Sequence, residues 1–215
     1  MKRTIDRRTL IVSSASALGL AALGSLRDAL AADHLRTPRQ TEGPFYPLVR
    51  TTAIDSDLIH VPGEAGTAFG EETSVTGRII DESGRPLSGV LVEVWQANGY
   101  GRYNDSRDNS SQPIDRRFKG YGTCVTDEDG AYHFLTIKPV AYPGRAPHIH
   151  FALSGARVPG KFITQMYMAG APENDRDGVL RSLSASDRKR LVVELDKKSA
   201  GEWSGKFDIV LERRV

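Results

Sequence analysis

Polar and apolar residues alternate in short runs along most of the chain, with a period of two rather than the 3.6 of a helix. Val75, Gly77 and Ile79 interleave with Thr76, Arg78 and Ile80, and Asp81-Glu82-Ser83-Gly84-Arg85-Pro86 then makes a turn. Val90 to Gln96 reads as a second strand. Gly122 to Thr126, the turn Asp127-Glu128-Asp129-Gly130 and Ala131 to Leu135 read as a β-hairpin. Pro147 to Leu153, Phe162 to Met168 and Lys206 to Leu211 complete the set. One segment has helical character: Ser184 to Leu191, with Ser184 as cap, Asp187 in the first turn and Lys189 and Arg190 in the last. Seven or so short strands separated by turn signals predict an all-β fold, an antiparallel β-sandwich with long loops and one short helix.

The first 31 residues stand outside this pattern. Lys2, Arg3, Arg7 and Arg8 precede an uncharged stretch from Leu10 to Leu26, and Ala29-Leu30-Ala31 has the small-x-small form of a cleavage site. This predicts a secretory signal peptide over 1–31, and Arg7-Arg8 followed by Thr9-Leu10-Ile11 resembles a twin-arginine signal. The expected location is therefore the periplasm or the extracellular space. The apolar run is short and rich in Ala, Gly and Ser, so no stable membrane anchor is expected. Residues 32–73 read as an extended arm, because Pro44 and Pro47 in Thr41-Glu42-Gly43-Pro44-Phe45-Tyr46-Pro47 forbid regular pairing. Residues 74–215 form the predicted β-domain.

Composition narrows the classes. Apolar residues are 39% and charged residues 26% of the chain, too much carbon for a disordered tail and too little for a membrane protein. The formal net charge is +2, and the first 31 residues carry five Lys/Arg against two Asp/Glu, which leaves about −1 without them. No basic field points to nucleic acid. A single cysteine, Cys124, allows no internal disulfide, and its strand context reads as that of a small buried hydrophobe.

Candidate chemistry begins with His148-Ile149-His150. Residues two apart on a strand face one side, so the two imidazoles form half a metal site. The flanks Pro147, Ile149, Phe151 and Leu153 are mostly apolar, which argues against an exposed polar face. No acidic residue follows within twenty positions, the next being Glu173, so further ligands must come from elsewhere. Tyr142, just before the histidines, and Tyr103, in the polar loop over 97–118, read by spacing alone as ordinary surface or core aromatics with satisfied hydroxyls; as phenolates they would be oxygen donors of the kind ferric iron favours. Asp127 to Gly130 and Asp175 to Gly178 lack a full calcium loop and read as turns.

Ordered blocks then carry a family resemblance over about residues 38–170. They are Thr41 to Tyr46, Gly77 to Asp81 with Gly84-Arg85-Pro86, Val92-Glu93-Val94-Trp95-Gln96-Ala97-Asn98, Gly101-Arg102-Tyr103, Thr126-Asp127, Gly130 to Phe134, Tyr142-Pro143, Arg145-Ala146-Pro147-His148-Ile149-His150-Phe151 and Gln165-Met166-Tyr167. Together they resemble the intradiol ring-cleavage dioxygenases, such as protocatechuate 3,4- and catechol 1,2-dioxygenases. The resemblance implies a non-haem Fe(3+) held by Tyr103, Tyr142, His148 and His150, with Tyr142 the ligand released when a catechol binds. It implies that Arg145 lies beside the substrate ring and that Gln165 is a polar neighbour of the site. The implied partners are a catechol-type substrate and O2, and a homo-oligomer is left open. One departure stands out. Only Gly144-Arg145-Ala146-Pro147 separates Tyr142-Pro143 from His148, where well-known members carry a longer insertion, so a more open pocket is expected. Two other classes compete: a non-catalytic β-sandwich binding module of the carboxypeptidase-regulatory or transthyretin-like kind, which needs no paired histidines, and a zinc hydrolase, which wants a carboxylate base near them.

Overall fold

The computed structural model describes residues 34–48 and 53–212. The leader expected over 1–31 lies outside these residues. Among the described residues no helix is long and apolar enough to cross a membrane.

Among the described residues, ten strands and two short helices follow one another in the order β1 (Glu72–Asp81), β2 (Leu91–Trp95), β3 (Tyr121–Val125), β4 (Ala131–Ile137), β5 (His148–Ser154), β6 (Phe162–Met168), α1 (Gly178–Arg181), α2 (Ala185–Lys189), β7 (Val192–Val193), β8 (Leu195–Lys197), β9 (Trp203–Lys206) and β10 (Ile209–Leu211). A 3-10 turn, Pro172–Asp175, precedes α1. One sheet runs β10-β1-β9-β8, with β4 on the other edge of β1; the second runs β3-β2-β5-β6-β7.

The strands expected from alternation are all present. Their pairing is largely antiparallel, as in β1 with β4 and in β2, β3, β5 and β6. Parallel contacts join β1 to β9 and β10 and join β6 to β7. The closing run Lys206 to Leu211 holds β10 and only the last residue of β9, whose first three residues were not expected as strand; Phe207, between the two, donates its amide to Thr76 O at 2.8 Å. The expected helix forms with Ser184 as its cap, its hydroxyl accepting from the Asp187 amide. Helix α1 and strands β7 and β8 were not legible in the pattern, because each is four residues or fewer and depends on its neighbours.

The core explains the central strand. Ile149, Phe151 and Leu153 of β5 join Val75 and Ile79 of β1, Val92 and Val94 of β2, and Tyr132 and Phe134 of β4 in one buried cluster between the sheets. The other face of β5 carries His148, His150 and Ala152, and it is buried too. Its cover is the arm. Gln40 N bonds Ile163 O, Thr164 Oγ1 donates to Pro38 O, and Thr37 exchanges bonds with Val210, so residues 37–41 run along the edge of β6 and on to β10. Tyr46 then donates to the buried Glu93 and packs edge-on against Trp95. Glu42 pairs with Lys161 at 2.6 Å. Cys124 is half-buried and packs against the core, a little less enclosed than expected.

Candidate active site

The wall beneath the arm is built from β5 outward. His148 and His150 share a face, and their Nε2 atoms stand 3.1 Å apart. His148 Nδ1 lies 2.6 Å from Ala146 O, which places its proton on Nδ1 and leaves the Nε2 lone pair free. His150 is the cross-strand partner of Trp95, whose indole stacks on it at 4.7 Å and 9°. His150 Nδ1 is buried and has no hydrogen-bond partner among the described residues. Gly43 of the arm packs closely there: a Cβ would stand 3.3 Å from His150 Cε1, tighter than an ordinary contact, and its φ of +71 strains any other residue.

The two tyrosines arrive from different segments. Tyr103 sits in the irregular loop that follows β2. Asp108 shapes that loop by accepting from the Tyr103 and Ser110 amides, and Arg102 ties it to Gln112 O and Asp108 O. The Tyr103 ring is 4% exposed and stacks on Phe45 at 4.6 Å. Tyr142 lies on a two-residue turn: Arg145 N bonds Tyr142 O at 2.9 Å and Tyr142 N bonds Arg145 O at 3.3 Å. Pro143 and Gly144 occupy the corner, and Gly144 has φ +81, the conformation such a turn requires of its second central residue. Both corner residues are exposed, so the wall here is a tight bend. The Tyr142 hydroxyl lies 3.3 Å from His148 Nε2 and 3.5 Å from the Tyr103 hydroxyl. Four residues scattered over 48 positions thus place two phenol oxygens and two imidazole nitrogens at one point.

Arg145 and Gln165 stand beside them. Arg145 Nη2 donates to Gln165 Oε1 at 2.6 Å and reaches the Tyr167 hydroxyl at 3.2 Å, while its Nε donates to Asp177 Oδ2 at 2.9 Å. Gln165 Nε2 donates to Thr41 O of the arm, and the Tyr167 hydroxyl lies 3.2 Å from Gln40 Oε1. Sequence reasoning placed Asp177 in a turn and gave it no part in the site. The signal available was an Asp-Gly step at a helix start, which by itself speaks only of capping. A cleft of about 470 Å³ flanks the wall on its Tyr103 side, lined by Phe45, Trp95, Tyr103, Asp105, Lys119 and Tyr121 among others.

The electrostatics favour neutral donors in the absence of a cation. Burial, then the Arg145 charge, holds His148 down at about 4, against a pull the other way from Ala146 O and Asp177. Burial and the neighbouring His148 hold His150 well below the ordinary range. Burial pushes the Tyr103 hydroxyl well above its ordinary value, and Tyr142 beside it adds to the rise. Tyr142 is raised less, because Tyr103 and Arg145 partly offset its burial. Among the described residues no group of three or more His, Cys, Asp or Glu could hold a metal, so the donors here are phenols and imidazoles without a carboxylate.

A family model described as dioxygenase matches residues 41–213. The protocatechuate 3,4-dioxygenase beta chain of Burkholderia cepacia is 41% identical over 186 residues, covering 82% of this chain and 79% of that one. A hydroxyquinol 1,2-dioxygenase of Rhizobium sp. (strain MTP-10005) is 33% identical over 169 residues, which is 67% of this chain and 56% of the relative. Among solved structures, the dioxygenase domain of a dioxygenase carbohydrate-binding protein fusion from Streptomyces sp. SirexAA-E superposes with a TM-score of 0.62 at 26% identity, covering 83% of this chain and 99% of that domain. Fold and relatives alike define a β-sandwich dioxygenase. The chain belongs to the intradiol ring-cleavage dioxygenase family.

Proposed function

We propose that this protein is a ferric, non-haem enzyme that uses O2 to open a catechol-type ring between its two hydroxylated carbons, giving a muconate-type diacid. The observation that carries the reading is the convergence of Tyr103 Oη, Tyr142 Oη, His148 Nε2 and His150 Nε2, with neighbouring donors 3.1 to 3.5 Å apart. The donor set fits Fe(3+). Two phenolates are hard and anionic, two imidazoles are neutral, and the phenols lose their protons only beside a strong positive charge. Tyr103, Tyr142, His148 and His150 would hold the ion. When bound, it would draw electron density from a catecholate and make the ring reactive toward dioxygen.

The side chains divide the remaining work. Tyr103 is locked under Phe45 and stays. Tyr142 sits on an exposed turn, so its oxygen is the one free to leave and accept a proton from a catechol hydroxyl. Arg145, held on two sides, keeps its charge beside Tyr142 and opposes the negative charge that develops on the ring. Gln165 joins Arg145 to the arm, and the arm excludes water from the histidine face. The paired imidazoles argue against a bare binding module, and the missing carboxylate argues against a zinc hydrolase.

The test is a visible spectrum of the full chain loaded with ferric iron, recorded without oxygen before and after adding catechol, then in air. The expected result is a broad band that moves to longer wavelength with catechol and decays in air to a muconate. A colourless iron-loaded protein that catechol leaves unchanged overturns the reading. Export by the twin-arginine route is part of the same proposal, supported by Arg7-Arg8 and the uncharged stretch behind them. The double variant R7K/R8K is expected to keep the precursor inside the cell, and continued export would refute that route.

A further inference from the structure

Asp177 is 1% exposed, and each oxygen of its carboxylate does a separate job. Oδ1 accepts from the Val179 and Leu180 amides at 2.9 and 3.0 Å and caps α1. Oδ2 accepts from Arg145 Nε and from the Ala146 amide, both at 2.9 Å. Capping alone would be served by Ser, Thr or Asn. The second job would not, because with one oxygen committed to the cap it needs a second acceptor oxygen to face two further donors, which only a carboxylate supplies. Arg145 and the amides outweigh the cost of burial and keep this carboxyl below its usual range.

What Oδ2 grips leads to the donor set by two short routes. Ala146 gives its N–H to Asp177 and its carbonyl to His148 Nδ1, so one residue links the carboxylate to an imidazole. Arg145 and Tyr142 exchange both backbone bonds of the turn, so the guanidinium anchored on Asp177 carries the phenol with it. We propose that Asp177 is a positioning residue of this site, fixing Arg145 and the turn that presents Tyr142 over His148. The inference rests on the ring-cleaving reading above for its kinetic consequence, and on the hydrogen bonds alone for its structural one.

Two variants of the full chain separate the jobs. Asp177→Ser keeps a cap and drops the second oxygen. Asp177→Asn keeps the shape and the capping oxygen but turns an NH2 donor toward two donors. In the iron-free protein, amide exchange at Arg145 and Ala146 is expected to rise at least about tenfold, while Val179 and Leu180 stay within about threefold. In the iron-loaded protein, iron content is expected to hold and kcat on catechol to fall about 10- to 100-fold, with KM changing far less. Variants that bind iron and keep kcat within about twofold, or that leave exchange at Arg145 and Ala146 unchanged, reduce Asp177 to a helix cap and overturn the proposal. Wild-type protein that fails to open catechol overturns the ring-cleaving reading instead, and the exchange measurement then decides the positioning role by itself.

Discussion

Tyr103→Phe is expected to weaken iron binding by more than about 100-fold, since even partners one step removed from a metal ligand cost 10- to 100-fold when replaced. The ring is buried, stacked on Phe45 and pinned through its amide by Asp108, so phenylalanine should fill the same space. Only the oxygen is lost. That oxygen stands 3.5 Å from the Tyr142 hydroxyl, in the cluster with the His148 and His150 nitrogens. Iron content and the visible band report the loss directly, and thermal unfolding of the iron-free variant shows whether the fold is intact. An unchanged spectrum and activity would remove Tyr103 from the donor set.

The iron-free protein is expected to lose stability steeply as pH falls from about 6.5 to about 4. An unfolded histidine takes up its proton near 6.5, whereas His148 in the folded wall does so near 4, chiefly because burial disfavours its charged form. Between those values the unfolded chain binds more protons, so acid favours unfolding. The contribution from His148 is on the order of 3 kcal/mol at the lower end of the window. His150 is depressed in the same direction and adds to it. This is a large share of a typical folding stability of about 5–15 kcal/mol. Asp177 acts in the same sense further down, because its stabilising carboxylate is lost as pH falls through its own depressed value. Urea unfolding at pH 7 and 4.5 measures the drop. The double variant H148Q/H150Q is expected to remove most of it, and an equal drop in that variant would contradict neutral burial of the pair.

Much of this was legible along the chain because it is local. Period-two alternation requires only neighbours, and it located β1 to β6. The ligand candidates were legible because the residue types are unusual and the blocks around them are ordered. The pair His148 and His150 declared itself by spacing alone, whereas Tyr103 and Tyr142 needed the family resemblance, since a single tyrosine in a loop has many ordinary explanations. The Tyr142-to-His148 segment was legible as short, and the structure closes it in a tight turn at Pro143-Gly144.

By itself, the sequence determined the β-rich fold, the shared face of the two histidines and the candidates for the donor set. The tertiary structure alone decided what covers that face and what holds it still. The arm reaches β6 from more than 120 positions away, and Arg145 meets Gln165 and Asp177 across 20 and 32 positions. Such contacts leave no periodic trace. An Asp that caps a helix and an Asp that also anchors a guanidinium read identically in one dimension. The second oxygen of the carboxylate acquires its role only when two separate loops close on it.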